Sequence, residues 1–338
     1  MRFLVASFPH SSMCWFQVFR GTTSECVCQG LQDVFLHIGG VPSLMVFDNA
    51  TGVGRRVADE MRLAELFRRF RPHCGFEARF CNPYAGHEKG RVERKVAFVR
   101  SNVFVPVPRI GPLGEYNESL LGLAGGFSGR RHWRRPGTWG ELFEDDRAAL
   151  RALPARPFSC VTWLVKPCDT WGEVTVGTHS YGAPSLAGRD VAVGLGATDV
   201  TLVDTVTGEV VRTCERRFGS GVTVDSDPTA ELRALARRPD ACRQSRVRSE
   251  LPADVVSYLD GLGRRDLSDR IGMLGAACDL EGFDVTAESM LRLVRSGRDF
   301  TASDMRVLAL RVVTGSDVPD AGPDLSEYDR ALLGREAM

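Results

Sequence analysis

Residues 41–54 read VPSLMVFDNATGVG. The run Ser43 to Phe47 is short, apolar and closed by an acid. That pattern suits a buried strand better than a helix, because it is too short for a helix and a turn signal follows it. Asp48 ends the strand, and Asn49-Ala50-Thr51-Gly52 forms the loop after it. In open α/β sheets, ligand sites gather at the carboxyl ends of strands. The fold reading therefore works outward from Asp48.

Upstream, residues 2–8 (RFLVASF) and 13–19 (MCWFQVF) read as two strands joined as a hairpin by Pro9-His10-Ser11-Ser12. Ser24 is expected to cap a helix running to about Ile38. Cys28, Leu31, Val34, Phe35 and Ile38 fall at helical spacing there, and Gly39-Gly40 stops the helix. Downstream, a second helix is expected over 57–70, a strand over 76–81 (FEARFC) and a long helix over 87–104. The order strand, strand, helix, strand, helix, strand, helix predicts an α/β sheet whose opening hairpin is antiparallel. Residues 115–151 read as helical. Residues 157–218 switch to alternating β pattern with a Thr207-Gly208 turn, which predicts a small β-barrel or sandwich. After Asp225 the chain reads as helical and acidic.

Composition is that of a globular chain, with 43% hydrophobic and 25% charged residues. No run is long and apolar enough for a membrane span, and the opening residues lack the signature of a signal peptide. A cytoplasmic location is expected. The ten cysteines contain no CxxC pair, so they read as reduced thiols filling core positions, not as a zinc site. The six histidines show no ligand spacing. The net charge of zero hides an asymmetry: residues 1–156 carry 22 Lys and Arg against 15 Asp and Glu. A basic front half suits a polyanion, whereas the acidic rear half does not.

The second acid of interest lies in NPYAGHEKGRVERKV, residues 82–96. At 100° per residue, Val92, Val96, Val99 and Val103 form one stripe with Glu93 at its edge, while Glu88 lies about 140° from Glu93 and points elsewhere. Asp48 and Glu93 together supply the oxygen ligands that Mg²⁺ prefers. Two such metals clamp the attacking and leaving oxygens of a phosphodiester displacement. Each residue also has a plainer reading. Asp48 before Asn is an ordinary turn residue, and Glu93 among Lys and Arg is an ordinary solvated helix ion pair. RRHWRRP, residues 130–136, reads as a contact to phosphate backbone through Arg130, Arg131, Arg134 and Arg135, or as a solvated loop. Arg55 and Arg56 follow the Asp48 loop and so could also meet DNA. In the tail, Leu259, Leu262, Leu267, Met290, Leu291, Leu293 and Val294 read either as a docking face or as the core of a helical bundle.

VPSLMVFDNATGVG, followed forty-five positions after its acid by Glu93 in KGRVERKVAFVR, resembles the second and third acids of a DDE transposase. More narrowly, the chain is similar to the large transposase of the IS21 insertion-sequence family. The likeness continues through TWGELFEDDRAALRALPARPF and HSYGAPSLAGRDVAVGL and covers roughly residues 1–225. The resemblance implies an RNase H-like integrase core over 1–105, a basic helical linker over 106–156, a small β-barrel over 157–225 and an acidic helical tail over 226–338. It implies a polynucleotidyl transferase using Mg²⁺ held by Asp48 and Glu93, with Lys89 near a DNA phosphate. It also implies transposon-end and target DNA as substrate, a homo-multimer on that DNA and an AAA+ helper ATPase as partner. The first acid of the family belongs on a strand ahead of residue 1. Glu25 and Asp33 both fall in the 24–38 helix and are no substitute for it. The expectation is an amino-terminally truncated form with weak Mg²⁺ binding and no strand transfer of its own. The rival readings are a non-catalytic DNA- or ATPase-binding fragment and an inert remnant.

Overall fold

The computed structural model describes residues 1–48, 52–57, 60–81 and 86–314, with the side chains of 55–61 and 82–93 outside that description. Two compact units divide the chain, Met1–Asp225 and Ser226–Met338.

The first unit opens with the hairpin that the sequence predicts. Strands β1 (Arg2–Ser7) and β2 (Cys14–Phe19) pair antiparallel, from Arg2 opposite Phe19 to Ser7 opposite Cys14. Ser12 closes the turn in the left-handed region at φ 67°, a strained setting for a residue with a Cβ. Every residue of β2 is buried. Helix α1 (Ser24–Ile38) follows, ended by Gly39 at φ 80°, whose N–H donates to the Phe35 carbonyl. Glycine reaches that left-handed conformation without the Cβ penalty, which is why the helix stops there. The cap lies one residue ahead of the predicted Ser24: Thr23 takes the N-cap position, without a side-chain cap hydrogen bond.

Strand β3 (Leu44–Phe47) pairs in parallel with a later strand. Between them come a hairpin, β4 (Gly54–Val57) with β5 (Glu60–Leu63), and helix α2 (Glu65–Cys74). The predicted helix over 57–70 is thus corrected. Its first half is a strand pair, and the helix starts at Glu65. Only from Leu66 onward do apolar residues (Leu66, Phe67, Phe70, Cys74) recur at helical spacing and become buried. Strand β6 (Glu77–Phe80) then aligns with β3, Leu44 opposite Glu77 through Phe47 opposite Phe80. The prediction that 43–47 is fully buried is also corrected. Leu44 and Val46 are exposed, while Met45 and Phe47 pack inward on the cluster around Phe67 and Phe70. Two strands covered on one face alternate in and out.

Helix α3 (Gly86–Val103) lies against β1, with Phe3 and Phe104 rings 5.4 Å apart and Val99 fully buried. Helices α4 (Leu113–Gly125) and α5 (Trp139–Ala148) flank a non-helical stretch. A capping box between Thr138 and Glu141 starts α5. Among the described residues, β1 pairs only with β2 and β3 only with β6, so the two pairs share no ladder. The outer edge of β2 is sealed by a side chain: buried Asn117 on α4 accepts from Val18 N–H at 2.7 Å and donates to the Val18 carbonyl at 2.9 Å.

The remainder of the first unit is two open sheets and no closed barrel, which corrects the barrel reading and fits the sandwich that the sequence also allowed. An antiparallel sheet of four strands contains β7 (Thr162–Pro167), β10 (Asp190–Leu195), β11 (Asp199–Asp204) and β12 (Val210–Glu215), in the order β12, β11, β10, β7. A second sheet holds β8 (Glu173–Val176), β9 (His179–Gly182) and β13 (Thr223–Asp225). One core fills the space between them, including Val174, Tyr181, Leu186, Val193 and Leu202. The alternation in sequence reports one buried face per strand, which a sandwich and a barrel share. Buried Glu25 ties α1 to these sheets. Its carboxylate accepts from the Thr162 hydroxyl at 2.5 Å and pairs with Arg216 at 3.2 Å.

The second unit is helical: α6 (Pro228–Arg237), α7 (Val247–Glu250), α8 (Ala253–Asp260), α9 (Arg264–Glu281), α10 (Phe283–Ser296) and α11 (Ala302–Thr314). Leu259, Leu267 and Met290 are buried in its core, and Leu262, Leu291, Leu293 and Val294 pack against the same cluster. The docking-face reading of these residues is corrected accordingly: they hold the bundle together. None of the ten cysteines forms a disulfide, and all but the half-buried Cys214 are buried. Among the described residues no helix is long and apolar enough to cross a membrane.

Two outcomes test this description. Asn117→Leu strands the buried Val18 N–H and carbonyl and is expected to cost about 2 kcal/mol or more, seen as a lower denaturant midpoint with an unchanged slope. For Glu25, burial pushes the pKa up. The hydrogen bonds from Thr162 and Thr23 and the Arg216 charge more than offset this, so the carboxyl sits below the ordinary value of 4.5. Its contribution is therefore present above that value and lost as pH falls through the lower folded pKa. Glu25→Gln is expected to flatten stability against pH below 4.5, and Glu25→Ala to cost roughly 3 kcal/mol at neutral pH by leaving Arg216 unpaired.

Candidate active site and nucleic-acid interface

Asp48 sits directly after β3, at the carboxyl end of a parallel strand, and is exposed. The ladder runs up to that point: Cys81 N–H donates to the Phe47 carbonyl at 3.0 Å. Residues 49–51 of the following loop lie outside the described residues. Glu93 and Lys89 lie in α3, and Arg55 and Arg56 in β4. The side chains of these four lie outside the described residues, so only their backbone positions are fixed. Among the described residues, which leave out the Glu93 side chain, no three His, Cys, Asp or Glu side chains group as metal ligands.

The other early acids are engaged elsewhere. Glu25 is held by Thr162 and Arg216. Asp33 accepts from Gln17 at 3.0 Å and from Gln29 at 2.7 Å, and burial raises its pKa despite these bonds.

The basic cluster is where the structure draws residues together. The segment between α4 and α5 folds back on itself: Trp139 N–H donates to the Arg130 carbonyl, and Arg131 bridges Thr138. His132 organises the tip. Its Nδ1 accepts from the backbone N–H of Arg134 at 3.2 Å and of Arg135 at 2.8 Å. Those bonds make the ring neutral, with its proton on Nε2. Burial first, and then the Arg135, Lys95 and His10 charges, hold its pKa below the ordinary histidine value. Arg131, Arg134 and Arg135 are exposed, and Trp133 stands 74% exposed at their centre. Arg130 turns the other way, over the rings of Phe98 (4.8 Å), Trp139 (5.7 Å) and Phe127 (5.9 Å).

Sequence reasoning missed Lys95. Its Nζ lies 3.7 Å from the centre of the Trp139 ring and 5.4 Å from that of Phe98, and donates to the Ser12 carbonyl at 2.5 Å. Burial, followed by the Arg130 charge, pulls its pKa down, with the Cys14 thiol acting in the opposite direction. The available signal was Phe98 three residues further along the helix, a spacing that puts both side chains on one face. The Trp139 contact depends on tertiary structure and left no local trace.

Comparison with known proteins follows the same outline. A transposase for insertion sequences IS1326/IS1353 from Pseudomonas aeruginosa is 29% identical over 246 residues, 70% of this chain and 48% of that protein. A transposase from Aminobacter aminovorans is 29% identical over 248 residues, again 70% of this chain and 47% of the relative. The transposase for insertion sequence element IS21 from Pseudomonas aeruginosa is 24% identical over 179 residues, 52% of this chain and 46% of the relative. The chain spans about half the length of these curated relatives. No family model matches it. A chain of the solved complex of a simian T-cell lymphotropic virus intasome with PP2A regulatory subunit B56 gamma aligns at 15% identity with a TM-score of 0.33, over 63% of this chain and 69% of that one. Over most of its length the chain is thus similar to insertion-sequence transposases.

Proposed function

We propose that this chain acts in DNA transposition as part of an IS21-type transposase, built on an RNase H-like core whose second and third acids are Asp48 and Glu93. The similarity to transposases across 70% of the chain carries the reading. The position of Asp48 at the open end of a parallel strand pair agrees with it. Carboxylate oxygens on a strand end and a neighbouring helix suit Mg²⁺, and Asp48 is exposed enough to reach one. In this role Mg²⁺ would stabilise charge on the phosphodiester under attack. DNA would be met by Lys89, Arg55 and Arg56 beside the acids, and by Arg130, Arg131, Arg134 and Arg135 on the folded-back segment. A homo-multimer on DNA and an AAA+ helper ATPase belong to the same reading, as does a cytoplasmic location.

A second reading, DNA binding without catalysis, is favoured by one observation. The exposed arginines at 131, 134 and 135 form a basic surface that needs no metal.

Calorimetric titration of the chain with Mg²⁺ is expected to show weak binding that Asp48→Asn or Glu93→Gln removes. Binding untouched by both substitutions would refute the metal site. In an end-joining assay the chain alone is expected to be inactive, because two metals close together need a full set of acids to offset their mutual repulsion. Mg²⁺-dependent joining by the chain alone would overturn that expectation. DNA retardation that persists in both variants and weakens steeply with salt would leave the second reading standing.

A further inference from the structure

We infer that Lys95 and Arg130 together seat one backbone phosphate of the bound DNA. The inference rests on the DNA reading above and adds a contact outside the acid site. Both cations lie over the same two rings, Phe98 and Trp139. Among the described residues no carboxylate pairs with either cation. Of the four acids of neighbouring α5, Glu141 accepts from the Thr138 N–H at 2.8 Å, Glu144 pairs with Arg147 at 3.3 Å, Asp145 is engaged by His10 at 3.2 Å and Asp146 by the Ser11 N–H at 3.1 Å.

Aromatic faces attract cations, but they do not neutralise two of them. The remaining polar groups are donors as well. His132 has spent its acceptor nitrogen on Arg134 and Arg135, and its Nε2–H is shut from solvent without a partner. Among the described residues, Lys95 donates a hydrogen bond to the Ser12 carbonyl alone, with the Cys14 thiol nearby. Such a donor-rich, acceptor-poor spot, with one exposed and one half-buried cation, fits an anion bridging the two. The exposed arginines at 131, 134 and 135 lie on the same folded-back segment, so a phosphodiester chain matches the surroundings better than an isolated anion.

The test uses the 338-residue chain, a short duplex oligonucleotide and a series of salt concentrations. Each phosphate contact contributes about 0.9 to the slope of log affinity against log salt. Lys95→Met keeps the side-chain stem on Trp139 and removes the charge. Arg130→Gln does the same for the exposed partner. Each is expected to make the slope shallower by about 1, and the double variant no shallower than either single, because one phosphate is shared. Arg134→Gln combined with Lys95→Met is expected to add, because the contacts are separate. Melting curves check that each variant is folded, and Arg130→Gln decides the matter if Lys95→Met is not. An unchanged slope in folded variants of a chain that binds DNA overturns the seat and leaves the DNA reading intact. Full additivity of Lys95→Met with Arg130→Gln also overturns it. A chain that retains no DNA at any salt overturns both.

Discussion

One helix has to serve two strand pairs. Among the described residues no hydrogen-bond ladder joins β1–β2 to β3–β6, so burial between side chains must hold the front of the molecule together. Helix α1 does this by dividing its apolar surface. Val34 and Ile38 enter the cluster with Trp15, Phe16 and Val99, whereas Cys28, Leu31 and Phe35 enter the cluster with Phe67, Phe70 and Phe76. Burying a Leu, Val or Phe side chain is worth about 1.5–3 kcal/mol. Four such positions on one helix, counting Ile38 with Leu31, Val34 and Phe35, therefore outweigh any single hydrogen bond elsewhere in the unit. The Glu25 carboxylate at the start of the same helix adds a polar tie to Thr162 and Arg216. Loss of α1 would separate the strand that leads to Asp48 from the hairpin on which α3 rests.

Backbone satisfaction explains the asymmetry between the two edges of the hairpin. On β2, Asn117 presents an amide that mimics a neighbouring strand to Val18. That edge is closed without a strand, as an all-buried β2 requires. On β1 every residue is exposed or half-buried, so water can reach this strand. Open strand edges are places where further backbone can pair. Among the described residues, the outer edges of β1 and β3 have this character.

What could be read in the sequence follows the range of the forces involved. The hairpin, α1 with its glycine stop, and α3 were legible because turn chemistry and periodicity are local. Residues 57–70 were misread because Val57, Met61 and Leu63 satisfy neither period cleanly, and the hairpin forms through cross-strand pairing with Gly54 and its neighbours. The barrel was misread because alternation reports one buried face and says nothing about closure. The leucines of the tail were ambiguous for a similar reason: an apolar stripe is the same whether it meets a partner or its own bundle, and here Leu259 and Met290 are buried in their own core. At the candidate site, Asp48 was legible as a strand end. The Lys95 platform was not, since Trp139 lies forty-four positions away in sequence and meets Lys95 only after α5 docks.

The proposed acid site and the proposed phosphate seat would impose different demands, and both draw on α3. Residues 93 and 95 are two positions apart, so they lie about 200° apart around the helix axis. Position 95 faces the aromatic platform, where Lys95 meets Trp139 and Phe98. On the proposed reading, a phosphate held at Lys95 and Arg130 would be distinct from the one attacked near the acids and would fix how the duplex lies. Lys89, Arg55 and Arg56 would meet DNA beside the acids, while cations held on aromatic rings would meet it at a separate point. Binding would then draw in part on charges separate from the chemistry, so the loss of Asp48 or Glu93 would leave the chain able to hold DNA.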